Sequence, residues 1–100
     1  MARPEPLKEK DVLRVVSLAL ERAGRVIPSR HFWERGRKRH FDISDAIKVL
    51  TEATEAKTVW NEKSQSWNYD MTGKDMERNE LTVRLAITED QKGVILVTGF

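Results

Sequence analysis

The chain has 100 residues, 39% of them hydrophobic and 34% charged, which is enough for one small domain. Eighteen Lys and Arg residues against sixteen Asp and Glu residues give a net charge of only +2, so net charge alone does not indicate a nucleic-acid partner. The lack of cysteine excludes disulfides and thiolate metal sites. No apolar run of about eighteen residues indicates a membrane span, and no signal-peptide core is present. We therefore expect a cytoplasmic protein.

The N-terminal quarter of the sequence predicts a tail followed by a helix. Residues 1–7 hold two prolines and no apolar pattern, so we expect a flexible tail ahead of a single domain over residues 8–100. Apolar residues then recur at helical spacing from Lys8 to Ala23, and Gly24 is a natural stop. This pattern predicts an amphipathic helix.

The next segment predicts shorter elements. Val26-Ile27-Pro28 indicates a brief extended segment, with Pro28 compatible with a sheet edge. Phe32 to Arg39 predicts one or two helical turns, interrupted at Gly36. Asp42 or Ser44 can then cap a second clear helix.

In the second half of the chain, residues 66–71 and 81–87 alternate with the period of a strand, and residues 57–61 are typical of a strand. Val94-Ile95-Leu96-Val97 is a continuous apolar run, as in a central strand, and short polar turns separate these segments. Short connections favour antiparallel neighbours. The sequence therefore predicts an α+β fold in which N-terminal helices pack on a four-stranded antiparallel β-meander. Its strands are expected at residues 57–61, 66–71, 81–87 and 94–97.

The segment from Ser29 to Phe41 is the best candidate for a functional site. It contains both histidines and five of the eighteen Lys and Arg residues. Imidazole exchanges a proton near neutral pH, and guanidinium groups bind phosphate through a planar fork of donors. If this segment is helical, His31, Arg35 and Arg39 share one face at four-residue spacing.

The order of these parts resembles a family of small bacterial and phage domains of unknown function. The resemblance rests on the Ser-x-His-x-x-x-Arg-x-x-x-Arg motif, on the helix that follows it and on an apolar last strand ending in Thr-x-aromatic. That family is distantly similar to RelE-like and BrnT-like toxin folds. The resemblance implies an RNA-directed activity, or a fold that has lost one, and a neutralising antitoxin as partner. The matching residues are Ser29, His31, Arg35, Arg39, Asp42 to Leu50, Gly73-Lys74 and Val94 to Phe100.

Within that resemblance, the candidate catalytic residues are His31, Arg35, Arg39 and Tyr69. His31 would act as general acid or base in RNA cleavage, with Arg35 and Arg39 stabilising the charge of the transition state. The Tyr69 hydroxyl, on a sheet face, could assist proton transfer. The structural alternative for His31 is helix capping or a hydrogen bond to a backbone carbonyl.

A second group of residues is predicted to contact RNA phosphates, and such contacts do not depend on the RNA sequence. For these residues the alternative is a solvated charged face, and for Arg84 on a strand it is a cross-strand salt bridge. The candidate RNA-binding residues are Arg30, Arg37, Lys38, Lys74 and Arg84. No spacing of histidines or carboxylates indicates a metal site, and no cofactor motif is present, so cleavage would be metal-independent.

The alternative function is non-enzymatic: a protein-binding module or an accessory protein of a phage or mobile element. Its sheet edge, or the amphipathic helix from Lys8 to Ala23, would contact another protein. The same helix could pair with its copy in a homodimer. This alternative predicts that substitution of His31 or Arg35 leaves function intact.

Overall fold

The computed structural model describes residues 3–22 and 25–100. Within these residues the helices are α1 (Glu9–Glu21), α2 (Arg30–Arg39) and α3 (Ile43–Glu52). The strands are β1 (Val26–Pro28), β2 (Lys57–Asn61), β3 (Ser66–Lys74), β4 (Glu80–Ile87) and β5 (Val94–Gly99). The predicted helix end at Ala23, the stop at Gly24 and the first two residues of the predicted tail lie outside the described residues.

The described strands form one mixed sheet in the order β1-β5-β4-β3-β2. The α+β class is confirmed, but the predicted four-stranded antiparallel sheet is wrong. Three-residue β1 adds a fifth strand that pairs in parallel with β5, with Ile27 opposite Ile95. Its backbone connections are the bonds from Val94 N to the Arg25 carbonyl and from Ser29 N to the Leu96 carbonyl. Pro28 is tolerated because β1 lies at the sheet edge.

The hydrophobic core lies between the helices and one face of the sheet. Helix α1 buries one apolar stripe and α3 buries another, and alternate residues of β3, β4 and β5 meet them. Burial of this apolar surface is the main stabilising contribution. The core includes Val12, Val15, Val16, Ala19, Ala46, Val49, Leu50, Met71, Val83, Leu85, Val94 and Leu96.

Helix α2 continues through Gly36 without interruption, contrary to the expected break. The glycine is needed because Phe41 lies against the helix at that point: a Cβ at residue 36 would overlap the Phe41 carbonyl oxygen. The Phe41 ring also lies against Gly99, where an added Cβ would lie 2.6 Å from the ring Cζ. Close packing of Phe41 between two glycines thus sets the distance between α2 and the end of β5.

The junction between α2 and α3 is defined by capping. His40 ends α2 in a left-handed conformation with a φ of 63°. Of the two predicted caps for α3, the structure selects Asp42, whose side chain accepts from Asp45 N. The Asp45 carboxylate in turn accepts from Asp42 N and from Met76 N, which joins α3 to the β3–β4 connection.

The N-terminal segment expected as a flexible tail contacts the sheet over its described part. Trp67 Nε1 donates to the carbonyl of Pro4, and Leu7 N donates to the Tyr69 hydroxyl at 2.9 Å. The guanidinium of Arg3 lies 4.5 Å from the Trp60 ring centroid. Trp67 and Tyr69 thus find their hydrogen-bond partners in the N-terminal segment, and these contacts hold the segment against β2 and β3.

Candidate active site

The first turn of α2 is anchored to β5 by a single serine. The Ser29 hydroxyl caps the helix by accepting from Phe32 N at 3.1 Å, and it donates to the Val97 carbonyl at 3.0 Å. Phe32 is fully buried and packs on Phe41, which holds the same turn from the core side. His31 lies between these two anchors in sequence and is exposed. The position of its backbone is therefore determined by the fold.

His31 faces a groove of about 670 Å³ shared with the polar face of the sheet. Ser29 and His31 line it from α2, and residues 60–63 line it from the end of β2. Arg84, Val97 and Thr98 contribute the sheet side. We call this cavity the His31–Arg84 groove. It joins the predicted histidine to one predicted phosphate-binding arginine from a distant part of the chain.

The orientation of Arg84 is fixed by two neighbours. Its Nε and one Nη donate to the two carboxylate oxygens of Asp70, opposite it on β3, at 2.8 and 2.9 Å. Its guanidinium lies 5.2 Å from the Phe100 ring centroid. The hydrogen bond and charge of Asp70 raise the pKa of Arg84 more than burial lowers it. Thus the salt-bridge alternative for Arg84 is correct, and the residue also lines the groove.

The other arginines of the motif continue along α2. Arg35 is half-buried one turn beyond His31, and Arg39 lies one turn further. Arg39 lines a second cavity, of about 490 Å³, together with Phe100. The Phe100 ring that lines this second cavity is also the ring near which the Arg84 guanidinium lies. His31, Arg35 and Arg39 therefore follow one another at four-residue spacing along α2, the helix that packs against β5.

The remaining basic residues of α2 are more exposed. Arg30 forms an ion pair with Glu34 at 3.1 Å, and its side chain is almost fully solvated. Arg37 and Lys38 lie in the last turn, where cations also interact favourably with the helix dipole. Their solvated positions fit the structural alternative as well as they fit phosphate contacts.

Of the nine predicted site residues, His31 and Arg84 line the His31–Arg84 groove, five others lie along α2, and Tyr69 and Lys74 lie on β3. Tyr69 is only 4% exposed and points into the core face, where its hydroxyl accepts from Leu7 N. Lys74 is exposed at the end of β3, and its carbonyl accepts from Lys48 Nζ. Neither side chain lines the groove. Tyr69 therefore has a structural role, as the hydrogen-bond partner of the N-terminal segment.

Sequence reasoning did not select Asp70 and Phe100. The pairing of Asp70 with Arg84 can be recognised only once the β3–β4 register is known. Phe100 follows β5, and its backbone pairs with Thr82 through two hydrogen bonds. One indication of Asp70 was present in the sequence: Arg84 was predicted on the outward face of its strand, where a cross-strand partner of opposite charge is favourable.

No protein-family model, curated protein or solved structure matches this chain. None of the helices in the described part of the chain is long and apolar enough to cross a membrane. Over residues 3–22 and 25–100, no three His, Asp or Glu side chains are grouped as a metal site would require.

Proposed function

We propose that this protein is a small RNA-directed protein of the toxin type that cleaves RNA, with His31 as the proton-transfer residue. The observation that carries the proposal is the presence of His31 and Arg84 in one groove. A base and an oriented cation that line the same cavity are the minimum needed to activate a nucleophile and to stabilise a phosphoryl transition state.

The reaction that suits these groups is attack by the RNA's own 2′-hydroxyl on the adjacent phosphorus. His31 accepts the 2′-hydroxyl proton while the new O–P bond forms, and the bond to the 5′ oxygen breaks. The leaving oxygen takes a proton from a solvent water molecule, and the products are a 2′,3′-cyclic phosphate and a 5′-hydroxyl. Arg84 donates to the phosphate oxygens, on which negative charge increases in the transition state.

The arginine stripe of α2 suits the phosphates next to the reacting one. At a rise of 1.5 Å per residue, side chains four residues apart are about 6 Å apart along the helix axis. This distance is comparable to the separation of successive phosphates in an RNA strand. Arg35 and Arg39 would bind the strand as it leaves the His31–Arg84 groove, and such contacts are independent of sequence.

The test compares the wild-type protein with matched variants in induced bacterial cultures, with growth and RNA integrity followed together. His31→Ala and Arg35→Ala should abolish growth arrest and RNA loss. Two controls remove the same chemical groups elsewhere: His40→Asn, since Asn tolerates the left-handed conformation, and Arg14→Ala on α1. Cleavage of an RNA oligonucleotide by purified protein should fall at least 100-fold for His31→Ala. Cleavage by that variant at the wild-type rate would overturn the proposal.

A second candidate is binding of a protein partner without catalysis, which the exposure of Trp33 favours. Its indole is 46% exposed on α2, with Arg37 one turn away. An exposed aromatic beside cations suits an acidic partner such as an antitoxin. Trp33→Ala should then abolish partner binding while His31→Ala leaves it unchanged. The apolar stripe of α1 does not offer the same test, because Val16 is buried in the chain's own core.

A further inference from the structure

The charges around the His31–Arg84 groove are nearly balanced, although α2 beside it is strongly basic. Arg84 is paired with Asp70, and the Glu62 carboxylate of the groove wall is paired with Arg3 at 3.1 Å. Lys63 is the further charged side chain of the described groove lining. The fixed charges therefore leave about one positive unit for a ligand, before any proton is added to His31.

Arg84 also presents a restricted set of donors. Asp70 occupies the side of the guanidinium formed by Nε and one Nη. Among the described residues, none accepts a hydrogen bond from the other Nη. The end of the guanidinium therefore remains available as a two-donor fork, whose plane is held by Asp70 and by Phe100. Two non-bridging oxygens of one phosphate match such a fork.

We propose that Asp70 makes the groove selective for a singly charged phosphodiester, as found within a polynucleotide chain, over phosphate groups that carry two or more charges. This inference rests on the proposed function and names the substrate class. A phosphodiester compensates the single excess positive charge and receives both N–H groups of the fork. A terminal phosphate or a polyphosphate brings further negative charge toward the Asp70 carboxylate, which repels it. Asp70 is thus a positioning residue that acts through Arg84.

The experiment measures two ligands by NMR titration of the ¹⁵N-labelled protein at pH 7.5. One is the 2′-deoxy dinucleotide d(UpA), a phosphodiester that cannot be cleaved by 2′-hydroxyl attack. The other is inorganic phosphate, which is mainly dianionic at this pH. We expect the wild-type protein to bind the dinucleotide more tightly, with shifts at His31 and at the Arg84 side chain. Asp70→Asn should change the affinity ratio about fivefold in favour of inorganic phosphate, because one negative charge near the ligand is removed.

The matched control is Asp11→Asn, which removes the same charge from an Asp–Arg pair on α1. It should leave the affinity ratio unchanged. Equal affinity of the wild-type protein for both ligands, or an unchanged ratio in a folded Asp70→Asn protein, would overturn the inference. If Asp70→Asn does not fold, Arg84→Lys serves instead: it keeps the charge but loses the fork, and dinucleotide affinity should fall about tenfold. Retained affinity in that variant would also count against the inference.

The outcomes separate this inference from the proposed function. Selective binding of the dinucleotide by a protein that does not cleave RNA supports the assignment of Asp70 and overturns the ribonuclease proposal. RNA cleavage that depends on His31, with no preference between the two ligands, supports the ribonuclease and overturns the assignment of Asp70.

Discussion

Adding one methyl group at Gly36 should displace α2 from the sheet. A Cβ at this position overlaps the carbonyl oxygen of Phe41 and lies 3.3 Å from two of its ring carbons. The Phe41 ring is also packed closely against Gly99, which limits how far Phe41 can move. The helix must therefore move outward, and the hydrogen bond from Phe41 N to the Gly36 carbonyl lengthens or breaks. Gly36→Ala thus tests whether this close contact positions the site.

Two destabilising contributions and one stabilising contribution determine how far Gly36→Ala changes the free energy of unfolding. Overpacking typically costs about 1–3 kcal/mol, and loss of the Phe41 hydrogen bond costs about 1 kcal/mol more. The higher helix propensity of alanine offsets about 1 kcal/mol. We expect a net loss of roughly 2 kcal/mol in the free energy of unfolding. For a domain of about 100 residues, this lowers the melting temperature by roughly 8–16 °C.

The assay is thermal and urea unfolding followed by circular dichroism, with Gly73→Ala as the matched control. A Cβ at Gly73 meets Val49 at 3.5 Å, an ordinary van der Waals distance, so this variant should melt within a few degrees of the wild-type protein. RNA cleavage by folded Gly36→Ala at low temperature should also fall, because α2 carries His31. A melting temperature for Gly36→Ala at or above that of the wild-type protein would refute the packing argument.

Three further predictions concern turns and caps. Hydrogen bonds from the Thr88 hydroxyl, Lys92 N and Arg25 lower the pKa of Asp90 to about 2, so its charge stabilises the folded state above pH 4 and this contribution is lost as the pH falls toward 2. The difference in melting temperature between the wild-type protein and Asp90→Asn should therefore shrink between pH 4 and pH 2, and a constant difference would contradict this. His40→Gly should stabilise the protein by about 0.5–1 kcal/mol in urea unfolding, because glycine adopts the left-handed conformation without strain; a loss of stability would show that the imidazole itself contributes. Asp45→Ala should cost about 2 kcal/mol, since Asp42 N and Met76 N both lose their acceptor, whereas the exposed neighbour Ser44 should tolerate alanine within about 0.5 kcal/mol.

Local patterns were sufficient to predict most elements of this fold. Helical spacing indicated α1 and α3, and alternation indicated β3 and β4, because each of these elements buries one face. Residues typical of strands indicated β2 and β5, in β5 as a continuous apolar run. The parallel pairing of β1 with β5 could not be read from the sequence. Three residues carry too little periodicity, and the partner strand lies near the other end of the chain. The uninterrupted α2 was also missed, because the packing of Phe41, rather than local propensity, explains Gly36.

The candidate site was predictable only in its helical part. The spacing of His31, Arg35 and Arg39 placed them on one face, and a helix over these residues is observed. The association of His31 with Arg84 depends on the packing of α2 against β5 and on the pairing of β5 with β4. For Tyr69, the alternation of β3 indicated which neighbours share its face of the sheet. The structure was needed to show that the helices and the N-terminal segment cover that face.

The anchoring of Ser29 to β5 has a consequence for when the groove can exist during folding. The helix that carries His31 is held by carbonyl groups of Leu96 and Val97, near the opposite end of the described chain. Until β5 has joined the sheet, α2 lacks the strand that it packs against, and the β5 residues that line the groove together with Arg84 are not in place. Closing so long a segment of chain is entropically costly and slow. A nascent chain or a fragment without β5 would therefore carry the complete Ser-x-His-x-x-x-Arg-x-x-x-Arg motif without the His31–Arg84 groove, which forms only when the domain has folded as a whole.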